Sequence, residues 1–152
     1  MSSVSVKTYI LNNLSEAKVM QLATVGDNGR PWISNVYFVA DKAGNIYWLS
    51  EPSRRHSKDI ESNPDVSVSV VVKSDMPVIG VQAEGTASIN IDLKTIKLIM
   101  TDYVKKYGVG KEFYQRAING IGKHKVYKMT VKRYSLFDEV NFPKDSPREW
   151  VL

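Results

Sequence analysis

Hydrophobic residues recur along the chain with two periods, and each period predicts one type of element. Spacings of three and four residues predict an amphipathic helix over residues 4–17, a helix of about four turns over 93–107 and a short helix over 113–118. Gly108 and Gly110 separate the last two helices. The residues that carry the two longer patterns are Val6, Ile10, Leu14, Ala17, Leu93, Ile96, Met100, Val104 and Tyr107.

A period of two predicts the strands. Residues 66–70 alternate strictly between valine and serine, as a strand with one buried face does. Tight turns are predicted at 27–30, where an Asn-Gly pair readily adopts positive φ, and at 41–45. Gly80 and Gly85 predict bulges, or the close approach of another backbone, within a long strand. The predicted strands span residues 20–25, 31–40, 46–50, 66–70, 78–89 and 126–134.

The order of these elements predicts the fold class. Short connections between the early strands imply antiparallel pairing. Antiparallel strands with few helices are best closed into a barrel, because closure removes exposed strand edges. We therefore expect an α+β fold, an antiparallel split β-barrel with flanking short helices, formed by one domain over residues 1–152.

Composition narrows the functional classes. No apolar stretch approaches about 20 residues and the N-terminus lacks the features of a signal peptide, so we expect a cytoplasmic protein without a membrane segment. The chain has no cysteine, which excludes disulfides, thiolate metal sites and cysteine nucleophiles. Its formal net charge of +5 suits an anionic ligand and also weak contact with nucleic acid.

The most informative segment is residues 50–64, where a strand runs into a short basic helix. Ser53 is the predicted N-cap and an Asn-Pro pair is the predicted stop. Cations crowd the helix start, although a helix start carries partial positive charge and favours anions. An incoming anion would reverse that penalty, so the pattern predicts an anion site, with a solvated basic turn as the alternative. The crowding residues are Arg54, Arg55, His56 and Lys58.

The chain resembles the FMN-binding split barrels, which are the pyridoxamine 5'-phosphate oxidase-like proteins. The resemblance covers roughly residues 20–135 and is greatest to a small uncharacterised bacterial branch of the family. It rests on the order and separation of several short motifs rather than on one specific motif. These motifs are Gly29-Arg30-Pro31, the strand that ends at Ser50, Ser53-Arg54-Arg55-His56-Ser57, Asn63-Pro64-Asp65-Val66 and Gly80-Val81-Gln82-Ala83-Glu84-Gly85-Thr86-Ala87.

The resemblance implies a homodimer that binds FMN in grooves at the subunit interface. It assigns the FMN phosphate to Arg55 and His56, with the Ser50 hydroxyl beside them. Ser57 and Lys58 are further candidates, and Lys58 is equally consistent with a solvated side chain. A phosphate dianion favours such a set, because it accepts hydrogen bonds from an Arg fork and from the free N–H groups of a helix start.

The same resemblance places the flavin ring along the second predicted strand. Ser34, Asn35, Val36 and Tyr37 would flank the ring, mainly through their peptide groups. Gln82 would reach the flavin edge or the cofactor of the partner, and the alternative is a residue on the barrel exterior.

Two departures from the family pattern affect the expected activity. His56 stands where the classical oxidases carry lysine, so the phosphate site should be weaker or sensitive to pH. The tail over residues 141–150 lacks the Arg-and-His substrate segment of the true oxidases, so we do not expect oxidation of pyridoxamine 5'-phosphate. Trp150 and Arg148 could cover the flavin or the partner subunit, but a free C-terminal tail is the favoured expectation.

The sequence offers no obvious catalytic side chain. His56 and His124 are the only histidines, and neither lies in a triad or metal-ligand spacing, so no metal site is expected. This suits a flavoprotein, whose cofactor performs the electron transfer. We favour an FMN-dependent oxidoreductase acting on a small molecule, with a deazaflavin or haem as a variant cofactor.

The alternative is a non-catalytic module that binds FMN or nucleic acid. A series of basic residues keeps nucleic-acid binding open, but they lack the interleaved aromatic residues of a base-stacking surface, which makes it the less favoured function. They are Lys105, Lys106, Lys111, Arg116, Lys123, Lys125, Lys128, Lys132 and Arg133.

Overall fold

Eight antiparallel strands form one curled sheet in the computed structural model, which describes residues 4–152. The strands are β1 (Val19–Val25), β2 (Pro31–Tyr37), β3 (Val39–Ala40), β4 (Ile46–Ser50), β5 (Asp65–Lys73), β6 (Ile79–Ile89), β7 (Lys125–Asp138) and β8 (Arg148–Val151). The helices are α1 (Val6–Glu16), α2 (Arg55–Ser62), α3 (Leu93–Tyr107) and α4 (Lys111–Ile118). Across the sheet the strands follow the order β2-β1-β5-β6-β7-β4-β3, and β8 also pairs with β7.

The two outermost strands of this order, β2 and β3, are consecutive in the chain. Only Phe38 separates them, so the two ends of the sheet must lie close together and the sheet curls into a barrel. The predicted α+β split-barrel architecture with four flanking helices is therefore confirmed.

The prediction of one continuous strand over residues 31–40 was wrong at Phe38. Its N–H donates to the Tyr107 hydroxyl of α3 at 2.9 Å, and that hydroxyl donates to the Phe38 carbonyl at 2.6 Å. The Phe38 ring is fully buried. A side chain 69 residues away thus takes the place of a neighbouring strand as the hydrogen-bond partner of this peptide.

The barrel interior is filled by the apolar residues of the alternating strands. The valines at 66, 68 and 70 are buried, and Ile10 and Leu14 of α1 pack into the same core. This confirms the inward face predicted for β5 and the apolar stripe predicted for α1. Both glycines of β6 lie beside a register shift, as predicted. At Gly85 a Cβ atom would lie 2.2 Å from the Thr130 carbonyl oxygen, so only glycine fits.

The prediction of a free C-terminal tail was wrong. Residues Arg148–Val151 form β8 and pair with the C-terminal half of β7. The Trp150 ring stacks on the Tyr134 ring at 5.3 Å between centroids and with 11° between planes. It also lies against Gly44, where an added Cβ would be 2.7 Å from the indole. The tail therefore packs on its own barrel through Trp150.

No helix in residues 4–152 is long and apolar enough to cross a membrane.

Replacement of Trp150 should destabilise the fold, because the indole packs against the barrel core. We expect Trp150→Ala to lower the free energy of unfolding by about 3 kcal/mol in denaturant titration. The matched control is Val151→Ala in the same strand. Val151 is 64% exposed, so its replacement should cost less than about 0.5 kcal/mol. Equal stability of the two variants would mean that β8 does not hold Trp150 in place.

Candidate functional site

The junction between β4 and α2 holds the predicted anion site. The predicted N-cap, Ser53, was wrong by one residue: Arg54 is the N-cap and makes no capping hydrogen bond with its side chain. The Ser53 hydroxyl instead donates to the Glu51 carboxylate at 3.4 Å. Within residues 4–152, the N–H groups of Arg55, His56 and Ser57 donate no hydrogen bond. These donors are free for a ligand.

Three predicted site residues are linked by hydrogen bonds beneath this helix start. The His56 Nε2 atom lies 2.7 Å from the Ser50 hydroxyl oxygen. The Ser57 hydroxyl donates to the same oxygen at 3.3 Å. Ser50 and Ser57 are buried, and His56 is half-buried. The end of β4 therefore fixes the first turn of α2.

His56 carries little charge at neutral pH. Burial lowers the pKa of its imidazole below 6.5, the Arg54 charge lowers it further, and the Asp59 carboxylate partly opposes both effects. The ring is therefore a neutral hydrogen-bonding group near pH 7. Since His56 is neutral, Arg55 is the permanent cation of the predicted Arg-His pair.

Arg55 lies on the outer side of the junction, with its guanidinium over the Trp32 ring at 4.0 Å from the centroid. No carboxylate within the described part of the chain forms an ion pair with it. Lys58 is exposed, and both cations line a cavity of about 440 Å³ whose walls also include Asp27 and Asp59. The cluster thus presents a free Arg fork next to free amide donors.

The Asp59 carboxylate, one turn after Arg55, is buried and faces the barrel. Its Oδ2 atom accepts a hydrogen bond of 2.8 Å from the Thr24 hydroxyl of β1. In a helix, a carboxylate four residues after an arginine can form an ion pair on the surface. The bond to Thr24 directs Asp59 away from that role and ties α2 to the sheet.

The predicted ring-binding residues lie on two faces of β2. Ser34 and Val36 pair with the buried Leu22 and Met20, so their side chains share the inner face. Asn35 and Tyr37 are exposed on the outer face. Among residues 4–152, β2 pairs only with β1, so its other edge presents peptide groups that have no neighbouring strand in this part of the chain.

Gln82 is an exterior residue that shares one row with Asn35 on the outer face. The row crosses β2, β1, β5, β6 and β7 in register. Its members are Asn35, Gln21, Ser69, Gln82 and Ser135. Gln21 donates to the Asn35 amide oxygen at 3.1 Å, and Gln82 lines a cavity of about 390 Å³. The fold thus places Asn35 and Gln82 on one surface, three strands apart.

Trp32 and Thr24 are not among the site residues predicted from the sequence. Both face α2 from the sheet, Trp32 through Arg55 and Thr24 through Asp59. No local motif marks such contacts, because they depend on where the helix docks. Among residues 4–152, no group of three His, Asp or Glu side chains is arranged to hold a metal ion.

The family model for pyridoxamine 5'-phosphate oxidase matches residues 8–138. The chain belongs to this family. The suspected resemblance is therefore confirmed, and the match covers β1 to β7 together with all four helices except the first two residues of α1.

Among the proteins to which the chain is similar, two have names that refer to haem. The chain is 39% identical over 56 residues to the heme oxygenase HutZ of Vibrio cholerae; the match covers 37% of this chain but only 31% of HutZ. A conserved hypothetical protein of Mycobacterium tuberculosis superposes with a TM-score of 0.78 at 16% identity, covering 93% and 90% of the two chains.

A heme binding protein of Mycobacterium smegmatis also superposes, with a TM-score of 0.78 at 16% identity. This alignment covers 99% of the present chain and 60% of that protein. At these identities the two superpositions support the split-barrel fold and leave the cofactor open.

The state of His56 can be measured directly. We expect its ring to titrate below pH 6.5 by NMR, because burial and Arg54 disfavour the imidazolium. The chain has two histidines, so His56→Gln assigns the resonance by removing one of the two signals.

The lowered pKa of His56 should also make the free energy of unfolding depend on pH. The folded protein favours neutral His56, so the unfolded chain binds more protons as the pH falls below about 6.5, and the free energy of unfolding decreases. His56→Gln should lack this part of the decrease. An assigned pKa at or above 6.5 would contradict the description of the site.

Proposed function

We propose that this protein is a flavoprotein that binds FMN with its phosphate at the start of α2. The proposal is supported by two neighbouring sets of hydrogen-bond donors. These are the free N–H groups of residues 55–57 and the guanidinium of Arg55, which forms no ion pair within residues 4–152. A helix start and an arginine fork are complementary to a phosphate dianion in charge and geometry. When bound, FMN supplies the hydride or electron transfer chemistry.

The residues of the junction have separable roles in this proposal. Arg55 and the helix amides hold the phosphate oxygens, and Lys58 adds positive charge at the rim. His56 donates or accepts a hydrogen bond according to its protonation state. Ser50 and Ser57 are buried and bonded to one another, so they orient His56 and the first helical turn.

The flavin ring would lie along the free edge of β2. Peptide groups of residues 34–37 offer hydrogen bonds there, and Gln82 reaches the same outer surface. This surface is open, and Ile33 and Val71 on its strands are 65% and 55% exposed. We propose that a second copy of the chain covers it and completes the cofactor groove, giving a homodimer with twofold symmetry.

We further propose that the bound flavin oxidises or reduces a small molecule other than pyridoxamine 5'-phosphate. The tail that could have carried substrate-binding residues packs on its own barrel through β8. With no catalytic side-chain constellation evident in the sequence, the protein would contribute binding, orientation and exclusion of water.

Replacement of Arg55 tests the phosphate site. Arg55→Ala should weaken FMN binding about 10- to 100-fold in calorimetric titration, because a charge-assisted pair is lost. Arg54→Ala is the matched control, since Arg54 carries the same charge but pairs with Glu51 at 3.9 Å. It should weaken FMN binding less than about threefold. Equal effects of the two variants would indicate general charge attraction in place of a specific ligand.

The proposed homodimer can be tested separately from FMN binding. Light scattering at micromolar concentration should give about twice the 17.2 kDa mass of one chain. A monomer that still binds FMN tightly would contradict the interface groove and leave the phosphate site intact.

Haem is the second candidate cofactor. It is favoured by the similarity to HutZ and by a cavity of about 440 Å³ between β4, α4 and the following loop. Its walls include Leu49, Phe113 and Ile121, and His124 lies at the same cavity. Haem requires an apolar pocket and an axial ligand such as histidine, and cationic residues suit its propionates. The cations at this cavity are Arg116 and Lys123.

Spectroscopy distinguishes the two cofactors. The FMN proposal predicts a yellow protein whose flavin absorbance bleaches under a reductant, with no Soret shift on addition of hemin. Stoichiometric hemin binding that is lost in His124→Ala but kept in His56→Ala would instead support haem. A colourless protein that takes up neither cofactor but binds oligonucleotides would favour a nucleic-acid module.

A further inference from the structure

Two residues that pair across β1 and β2 contact α2 at two of its residues, which lie one helical turn apart. Thr24 of β1 and Trp32 of β2 are directly opposite each other in the ladder. Thr24 donates to Asp59, and Trp32 lies under the guanidinium of Arg55. The contacts therefore set both the docking of the helix and the place of its arginine.

We propose that Trp32 is a positioning residue for phosphate recognition, which presets Arg55 for the FMN phosphate. This inference rests on the proposed function. Arginine presents its N–H donors in the plane of the guanidinium, whereas an aromatic ring occupies its face. Stacking on Trp32 therefore immobilises Arg55 and leaves its planar donors available to an anion.

Within residues 4–152, the nearby carboxylates do not pair with Arg55, and this includes Asp27, which lines the same cavity. Asp59 is bonded to Thr24, and Glu51 pairs with Arg54. In this protein the partner of the guanidinium is an aromatic face that carries no formal charge and cannot neutralise it. Trp32 is 42% exposed, so its ring remains at the surface where a cofactor would approach.

The energetic role of Trp32 is entropic as well as electrostatic. A free arginine side chain loses substantial rotamer freedom when a ligand immobilises it, and the stack removes part of that loss in advance. The benefit applies only to ligands that use Arg55. Trp32 should therefore raise affinity for FMN, which carries a phosphate, over riboflavin, which does not.

The test compares FMN with riboflavin in four variants by calorimetric titration. Trp32→Leu keeps an apolar side chain but removes the aromatic face, and it should weaken FMN binding by up to about tenfold, the ordering cost of one long side chain on binding. Riboflavin affinity should stay unchanged. Trp32→Phe retains a ring and should recover FMN affinity to within about threefold of the wild type. In the Arg55→Ala background, adding Trp32→Leu should have no further effect on FMN.

Each contrary result has a distinct meaning. Equal losses for FMN and riboflavin in Trp32→Leu would overturn the inference, because Trp32 would then contact the ring. Unchanged FMN affinity in Trp32→Leu, with a loss in Arg55→Ala, would overturn it and leave the proposed function standing. Failure of the wild type to bind FMN would overturn both. Thermal unfolding of each variant checks that α2 remains docked.

Discussion

The docking of α2 against the barrel is the interaction on which the candidate site depends. The buried bond from Thr24 to Asp59 fixes the middle of the helix, and the bonds between Ser50, His56 and Ser57 fix its start. Both sets use side chains that point inward. The uncapped N–H groups and the charged side chain of Arg55 are left facing outward, so the same contacts that stabilise the helix also create a cationic surface.

This arrangement explains how a helix tolerates cations at its positive end. Burial and Arg54 keep His56 neutral near pH 7, which reduces the repulsion that the sequence suggests. Arg55 is held by an aromatic ring and Arg54 by Glu51. A bound phosphate would oppose the effects of burial and Arg54 and raise the pKa of His56, because a nearby anion favours the imidazolium. Anion affinity and proton uptake should therefore be linked in this protein.

Much of the fold could be predicted from the sequence, because alternation and turn residues are local signals. The serine–valine pattern of β5 and the stripe of α1 gave the correct buried faces. Two of the wrong predictions depend on contacts between residues that are distant in the sequence. Phe38 interrupts a strand because its peptide group forms hydrogen bonds with the Tyr107 hydroxyl. The C-terminal tail is ordered because Trp150 packs against Tyr134 and Gly44. Charge pattern pointed to the β4–α2 junction, but the role of Trp32 requires the register of β1 and β2.

If the FMN phosphate binds at the start of α2, the chemical shifts of the amide groups there should report its presence. Amide NMR spectra of the ¹⁵N-labelled protein should be recorded with FMN and with riboflavin at saturating concentrations. The N–H signals of Arg55, His56 and Ser57 should shift strongly with FMN and little with riboflavin. Equal shifts with both ligands, or FMN-induced shifts confined to other parts of the barrel, would contradict binding of the phosphate at the start of α2.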